Sequence, residues 1–249
     1  MRRTESIAIL AALASAVLVP AVLALSLLGC RAENPTKDAE QPDTAKSVPA
    51  DETPLPAPKP STTINDKRPL IVCFGDSLTA GYGTEPGKSY PDYLQADLDA
   101  KGYQYRVVNE GVSGNTTKDG VQRVDSIVAM KPAIVIVEFG GNDGLRGFRI
   151  EDSRSNLDQI VGTLKAAGAK VVLAGITLPP NYGPDYIKQF NDTYILLAKK
   201  YNAPMLPFLL KDVYGIDGMM QSDNTHATAA GNRIVAKNVL PLVLPLLRK

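Results

Sequence analysis

Histidine occurs once in this chain, cysteine twice, and no aromatic residue precedes Phe74. One histidine and two distant cysteines exclude the usual ligand set of a structural zinc site, so no metal is expected, and they leave no disulfide framework. A net charge of +1 gives no hint of a nucleic-acid partner, which would want a clustered basic face, and none is expected. The aromatic-free first quarter has little to build a core from. The 44% hydrophobic content is enough for one elsewhere. A single globular domain is therefore expected over residues 67–249. Cys73, inside an apolar run, reads as a small core residue. The lone histidine, His226, has a sharper consequence: any chemistry that needs an imidazole has no other candidate.

The first 66 residues fall into two parts. "MRRTES" is basic, and Ile7 to Leu28 carries no charge. A basic start followed by an apolar stretch is an export signal or a membrane anchor, and about 20 apolar residues suffice to span a bilayer. "LLGC", Leu27 to Cys30, resembles the processing box of bacterial lipoproteins, which implies cleavage before Cys30 and lipidation of its thiol. The alternative is an uncleaved signal anchor. Either reading puts residues 1–30 to use as a leader and the domain in the cell envelope, on a periplasmic or extracytoplasmic face. Residues 31–66 are polar and Pro-rich, as in "TPLPAPKPSTT". Such a segment buries too little to offset its ordering entropy and is expected to be a disordered linker. As a flexible coil it would reach roughly 35 Å.

From Lys67 onward, short apolar runs alternate with amphipathic ones. "LIVCFG", "YRVVNEG", "AIVIVEFG", "AKVVLAGI" and "APMLPF" read as strands, the third continuous rather than alternating. Between them, "SYPDYLQADLDAKG", "TKDGVQRVDSIVAM", "NLDQIVGTLKAAG" and "DYIKQFNDTYILLAKKYN" have apolar residues at helical spacing. "AAGNRIVAKNVLPLVLPLL" closes the chain as a helix that Pro241 kinks or ends early. Strand–helix alternation predicts an α/β fold: three layers, α/β/α, around an open five-stranded parallel sheet. By analogy with flavodoxin-like sheets the order is 2-1-3-4-5. Ligands then sit beyond the carboxyl ends of the strands, near the point where strand order reverses.

Four stretches fall at such ends. In "IVCFGDSLTAGYG" a strand stops at Gly75-Asp76-Ser77, where Ser77 is either turn filler or a nucleophile. Asp76 itself could attack, as in phosphoaspartate proteins, but that would need a carboxylate-bound metal. In "NEGVSGNTT", Gly114 is a turn glycine before a helix capped by Asn115 or Thr116, or a backbone donor open to a ligand. In "EFGGNDGLRG" two glycines turn the chain and bring Asn142 to the rim, where its amide suits a developing oxyanion. In "SDNTHATAAGN", Asp223 precedes His226 by three residues. A tight turn lets its carboxylate bind Nδ1–H and leaves Nε2 free for a serine proton.

Taken together and in this order, "GDSL", "SGN", "GGND" and "DNTH" resemble the four blocks of the SGNH, or GDSL, hydrolase family. "GGNDGLRGF", "LPPNYG" and "LPF" are similar to one group within it, the arylesterase, acyl-CoA thioesterase I and lysophospholipase enzymes. The resemblance implies a serine esterase or thioesterase that needs no cofactor. It makes Ser77 the nucleophile, His226 the base and Asp223 its orienting acid. The oxyanion hole is then the N–H groups of Ser77 and Gly114 with the Asn142 side chain. It also implies that residues 144–149 move on substrate binding, and that Leu145, Leu178 and Pro179 shape the acyl site. The family usually has Pro after the histidine; Ala227 stands there, which should leave the histidine loop less constrained. The partners implied are an acyl ester or thioester and, through Cys30, a membrane, with a monomer as the working unit. A carbohydrate O-deacetylase and an inactive envelope-binding module are the competing readings.

Overall fold

The computed structural model describes residues 66–248. The leader, residues 1–30, and the linker as far as residue 65 lie outside the described residues. The carboxylate of Asp66, the first described residue, pairs with Arg68 at 2.7 Å.

The chain forms β1 (Leu70–Gly75), α1 (Ser77–Ala80), α2 (Tyr90–Ala100), β2 (Arg106–Gly111), α3 (Thr117–Ala129), β3 (Ile134–Glu138) and α4 (Gly141–Leu145). It continues through α5 (Ile150–Ala166), β4 (Lys170–Ala174), α6 (Pro184–Tyr201), β5 (Met205–Leu206) and α7 (Ala229–Val243). All five strands are parallel, in the order β2-β1-β3-β4-β5 expected from the sequence. Val72 of β1 sits in register with Val108 on one side and Val135 on the other.

The central strands explain their own composition. Every residue of β3 and all but the first of β1 are buried, because helices cover both faces of the sheet. Contacts link α2 with α7, and link α3, α5 and α6 in series. Phe74 and Phe139 meet edge to face at 4.8 Å, in the arrangement aromatic quadrupoles favour. Cys73 is fully buried and unpaired; burial pushes its thiol up to about 12, so it stays a protonated core residue. Among the described residues no helix is long and apolar enough to cross a membrane.

The helices differ from the sequence expectation at four places. Helix α5 begins at Ile150, six residues before the periodic run at Asn156. Its first turn is polar, but Ile150, Ser153 and Leu157 share the buried face, and Glu151 and Asp152 suit the positive end of the helix dipole. Two one-turn helices, α1 and α4, stand where the sequence suggested only turns. Pro241 lies inside the last helix, which ends two residues later at Val243, short of the Leu247 that the apolar run reaches. Pro241 and Lys237, whose carbonyl loses its partner, both lie on the solvent side, where water can take the bond.

Candidate active site

The strand order reverses between β2 and β3, on either side of β1, and the candidate residues gather beyond the carboxyl ends there. Ser77 is the first residue of α1. Gly75 lets the chain turn into that helix at close quarters: a Cβ there would collide with Thr79 Oγ1 and the Glu138 carbonyl. Asp76 caps α1 by accepting the Leu78 N–H at 3.0 Å. Among the described residues the Ser77 N–H, in the first turn, has no partner, as helix geometry dictates for that position.

The single histidine meets the serine. His226 Nε2 lies 2.8 Å from Ser77 Oγ, and Nδ1 lies 2.7 Å from Asp223 Oδ2. The other Asp223 oxygen accepts the N–H groups of Thr225 and His226, at 2.9 and 3.0 Å. Partial burial alone would raise this carboxyl. The His226 ring and the two N–H groups outweigh that effect and hold it down at about 2. Asp223 therefore stays ionised across the neutral range, and its Nδ1 contact leaves Nε2 free to accept from a serine hydroxyl.

The loop that carries His226 is well tied despite Ala227. Ala227 is buried and bridges to Met220, and the Gln221 N–H donates to the His226 carbonyl at 2.8 Å. The Gln221 side-chain amide donates to the Tyr82 and Ala227 carbonyls, at 2.7 and 2.9 Å. Thr228 then caps α7 through the Gly231 N–H. Hydrogen bonds do here what a ring would have done by fixing φ.

Gly114 has φ of +82°, a conformation that favours glycine, and space around its missing Cβ is open. Its carbonyl accepts from Arg146 at 3.2 Å, and among the described residues its N–H has no partner. Thr116, not Asn115, caps α3, in a reciprocal box with Asp119. Asn142 lies in the first turn of α4 and donates through Nδ2 to the Asn115 carbonyl at 2.9 Å and to Asp76 Oδ2 at 3.2 Å. Helix α4 is pinned by its neighbour: buried Asp143 accepts from the Thr117 N–H at 2.9 Å and the Ser153 hydroxyl at 3.1 Å.

Ser77, Gly114, Asn142 and His226 line one cleft of about 320 Å³, at the small end for ligand sites. Leu145, Leu178 and Pro179 line it too, with Ile176, Phe208 and Tyr214. Leu178 is buried, whereas Leu145 is 42% exposed at the rim. Asp76, the alternative nucleophile, is buried and already accepts from Leu78 and Asn142, so its oxygens are committed. Three residues at the site were not singled out in the sequence. Tyr82 packs on the imidazole, Gln221 clamps its loop, and Glu138 is a buried acid at the end of an apolar strand. Glu138 alone left a readable signal, since "AIVIVEFG" breaks an apolar run with a charge.

An activated hydroxyl, an oriented imidazole and unpartnered backbone donors beside an apolar cleft are what acyl transfer requires. Comparison with known proteins points the same way. Residues 73–234 match the model of the GDSL-like lipase/acylhydrolase family. The chain is 42% identical over 178 residues to the esterase TesA of Pseudomonas aeruginosa, covering 71% of this chain and 89% of that one. It is 37% identical to the thioesterase 1/protease 1/lysophospholipase L1 of Escherichia coli K12, covering 70% and 84%. A crystal structure of TesA superposes with a TM-score of 0.69 at 41% identity, over 72% of this chain and 99% of that one. A match across most of the domain, in sequence and in fold, makes this chain a member of the GDSL-like lipase/acylhydrolase family of hydrolases.

Proposed function

We propose that the protein is a serine esterase and thioesterase acting on medium- or long-chain acyl groups, tethered to a membrane by lipid on Cys30. The observation that carries the catalytic part is the unbroken contact chain from Ser77 Oγ through His226 to Asp223, at 2.8 and 2.7 Å. His226 Nε2 takes the serine proton as Oγ attacks the acyl carbon, and Asp223 stabilises the imidazolium that forms. The Ser77 and Gly114 N–H groups and the Asn142 amide receive the negative oxygen. The imidazolium returns its proton to the departing alcohol or thiol. Water, deprotonated by the same imidazole, then releases the acid.

The acyl chain lies along the apolar wall formed by Leu145, Ile176, Leu178 and Pro179. Relatives named esterase and thioesterase/lysophospholipase support an acyl chain over a sugar as the recognised part. The test is hydrolysis of p-nitrophenyl esters from two to sixteen carbons, and of matching thioesters, with and without a serine-reactive organophosphonate. Each buried methylene is worth about 0.8 kcal/mol, roughly fourfold in kcat/KM. The rate constant should climb from acetyl to at least hexanoyl. A sharp optimum at acetyl would replace this reading with the carbohydrate deacetylase. The tether is checked separately: the mature terminus should be a lipidated Cys30, and an intact Met1 would leave a signal anchor in its place.

A further inference from the structure

Glu138 ends β3 with no exposed surface. Its Oε2 accepts from the Thr79 hydroxyl at 2.8 Å and the Asp76 N–H at 3.3 Å. Its Oε1 is buried and meets no N–H or O–H donor among the described residues. Among the described residues no cation pairs with the group; its titratable neighbour is another buried carboxyl, that of Asp76, whose own N–H it accepts. Two neighbouring buried carboxyls with no cation between them do not both ionise, so one holds a proton. Asp76 accepts the Leu78 N–H and the Asn142 amide, and both favour its ionised form. Glu138 has the unused oxygen and the deeper burial, so the proton belongs there.

We propose that Glu138 is a positioning residue: kept as a neutral carboxylic acid, it donates to the Asp76 carboxylate, and Asp76 in turn orients the Asn142 amide in the cleft. This rests on the reading of Asn142 as an oxyanion donor. An ionised Glu138 would put two negative charges behind a group meant to stabilise a third. With the proton in place, part of the Asp76 charge is engaged away from the cleft. Asn142 then keeps its shorter bond to Asn115 and can turn the longer one, to Asp76, toward the reacting oxygen. Burial first, and then the Asp76 charge, push Glu138 well above the carboxylate range, while burial lifts Asp76 to about 6 against the bonds that favour its charge. At neutral pH the pair therefore carries one charge, on Asp76.

The test compares Glu138→Gln, which keeps a neutral donor, with Glu138→Leu, which keeps only the volume. Glu138→Gln should hold kcat within about threefold of wild type, and Glu138→Leu should lower kcat roughly tenfold with KM unchanged. In an Asn142→Ala background Glu138→Leu should cost less than about twofold more, because the two act through one group. Stability gives a readout that needs neither activity nor the leucine variant. The unfolded chain loses the Glu138 proton above its ordinary value, whereas the folded chain keeps it. Wild-type stability therefore falls as pH rises, and Glu138→Gln lacks that slope.

Asp76, Tyr90 of α2, Asp143 of α4 and Tyr194 of α6 face the same region, and Arg123 of α3 binds the Gly75 carbonyl. The window from about pH 6.5 to 8.5 lies above the Asp76 titration. Across it the Tm advantage of Glu138→Gln should grow. A constant difference would mean that Glu138 is ionised when folded and would overturn the proposal. So would a glutamine variant as slow as the leucine one, or full additivity with Asn142→Ala. If Asn142→Ala itself leaves kcat unchanged, the oxyanion reading fails instead, and the pH-dependent Tm difference still decides the state of the pair.

Discussion

The Tyr82 ring lies against the imidazole of His226, with centroids 4.6 Å apart and planes inclined at 43°. The Tyr82 carbonyl is held by Gln221, the residue that also clamps the histidine loop. An aromatic face beside an imidazole favours its charged form, the one that the proposed mechanism produces when the serine proton is taken. Such contacts are worth about 0.5–2 kcal/mol. Tyr82→Ala should therefore lower kcat/KM roughly 3- to 30-fold. Tyr82→Phe keeps the ring and should stay near wild type. Steady-state kinetics on one soluble ester separates the cases. A phenylalanine variant as slow as the alanine one would move the role from the ring to the hydroxyl.

Ser77→Ala and His226→Ala should each abolish turnover and leave Tm close to wild type, because both residues lie in the open cleft. Asp223→Asn makes the finer test. Asp223 stays ionised down to about 2, so it keeps its charge throughout the neutral range. Removing the negative charge makes the imidazolium harder to form. The acid limb of kcat/KM should then shift to lower pH while the maximum drops. An unshifted limb would mean that the carboxylate only holds the ring in place. The stability linkage has the opposite window: a depressed carboxyl contributes above its ordinary value and is lost as pH falls toward 2. The side chain is 41% exposed, which keeps that contribution small.

The five strands and the gathering of the serine, glycine, asparagine and histidine segments were legible because each depends on a local signal, whereas the strand order came by analogy alone. Apolar runs set the strands, and a glycine-bearing turn follows each relevant strand end. What the sequence concealed depends on contacts between distant segments. Tyr82 and His226 lie far apart along the chain, and no spacing rule joins them. The tightness of the histidine loop was misjudged from Ala227 alone, since the bonds that replace a proline come from Gln221 and Met219. The early start of α5 was hidden by a polar first turn whose inward residues include a serine. Glu138 was readable as an anomaly, but its partners Thr79 and Asp76 became visible only when the first and third strands paired.

Asn142→Ala should lower kcat roughly 10²–10³-fold with little change in KM, the usual loss for one oxyanion donor. The amide already donates to Asn115 and Asp76, so the substituted site leaves a carbonyl and a carboxylate short of a donor and some loss of Tm should accompany it. Pre-steady-state acylation measured with a p-nitrophenyl ester isolates the chemical step. A change confined to KM would make Asn142 a substrate-positioning group.

The segment from Leu145 to Phe148 is fastened by two tyrosine hydroxyls. Tyr182 donates to the Leu145 carbonyl and Tyr186 to the Phe148 carbonyl, each at 2.8 Å. Both bonds are solvent-exposed, so each is worth about 0.5–1.5 kcal/mol and can open without unfolding anything. Leu145 lines the cleft at its rim, and on the proposed function only an acyl chain long enough to extend beyond Ser77 would reach it. Replacing both tyrosines by phenylalanine removes the bonds and keeps the stacked rings, whose centroids are 6.4 Å apart. The loosened wall should raise KM for octanoyl and longer esters by about 3- to 10-fold and leave acetyl esters unchanged. Equal effects on short and long chains would show that the fastening serves the catalytic residues. An effect on kcat alone would show that opening of this segment, rather than its contact with the chain, limits turnover.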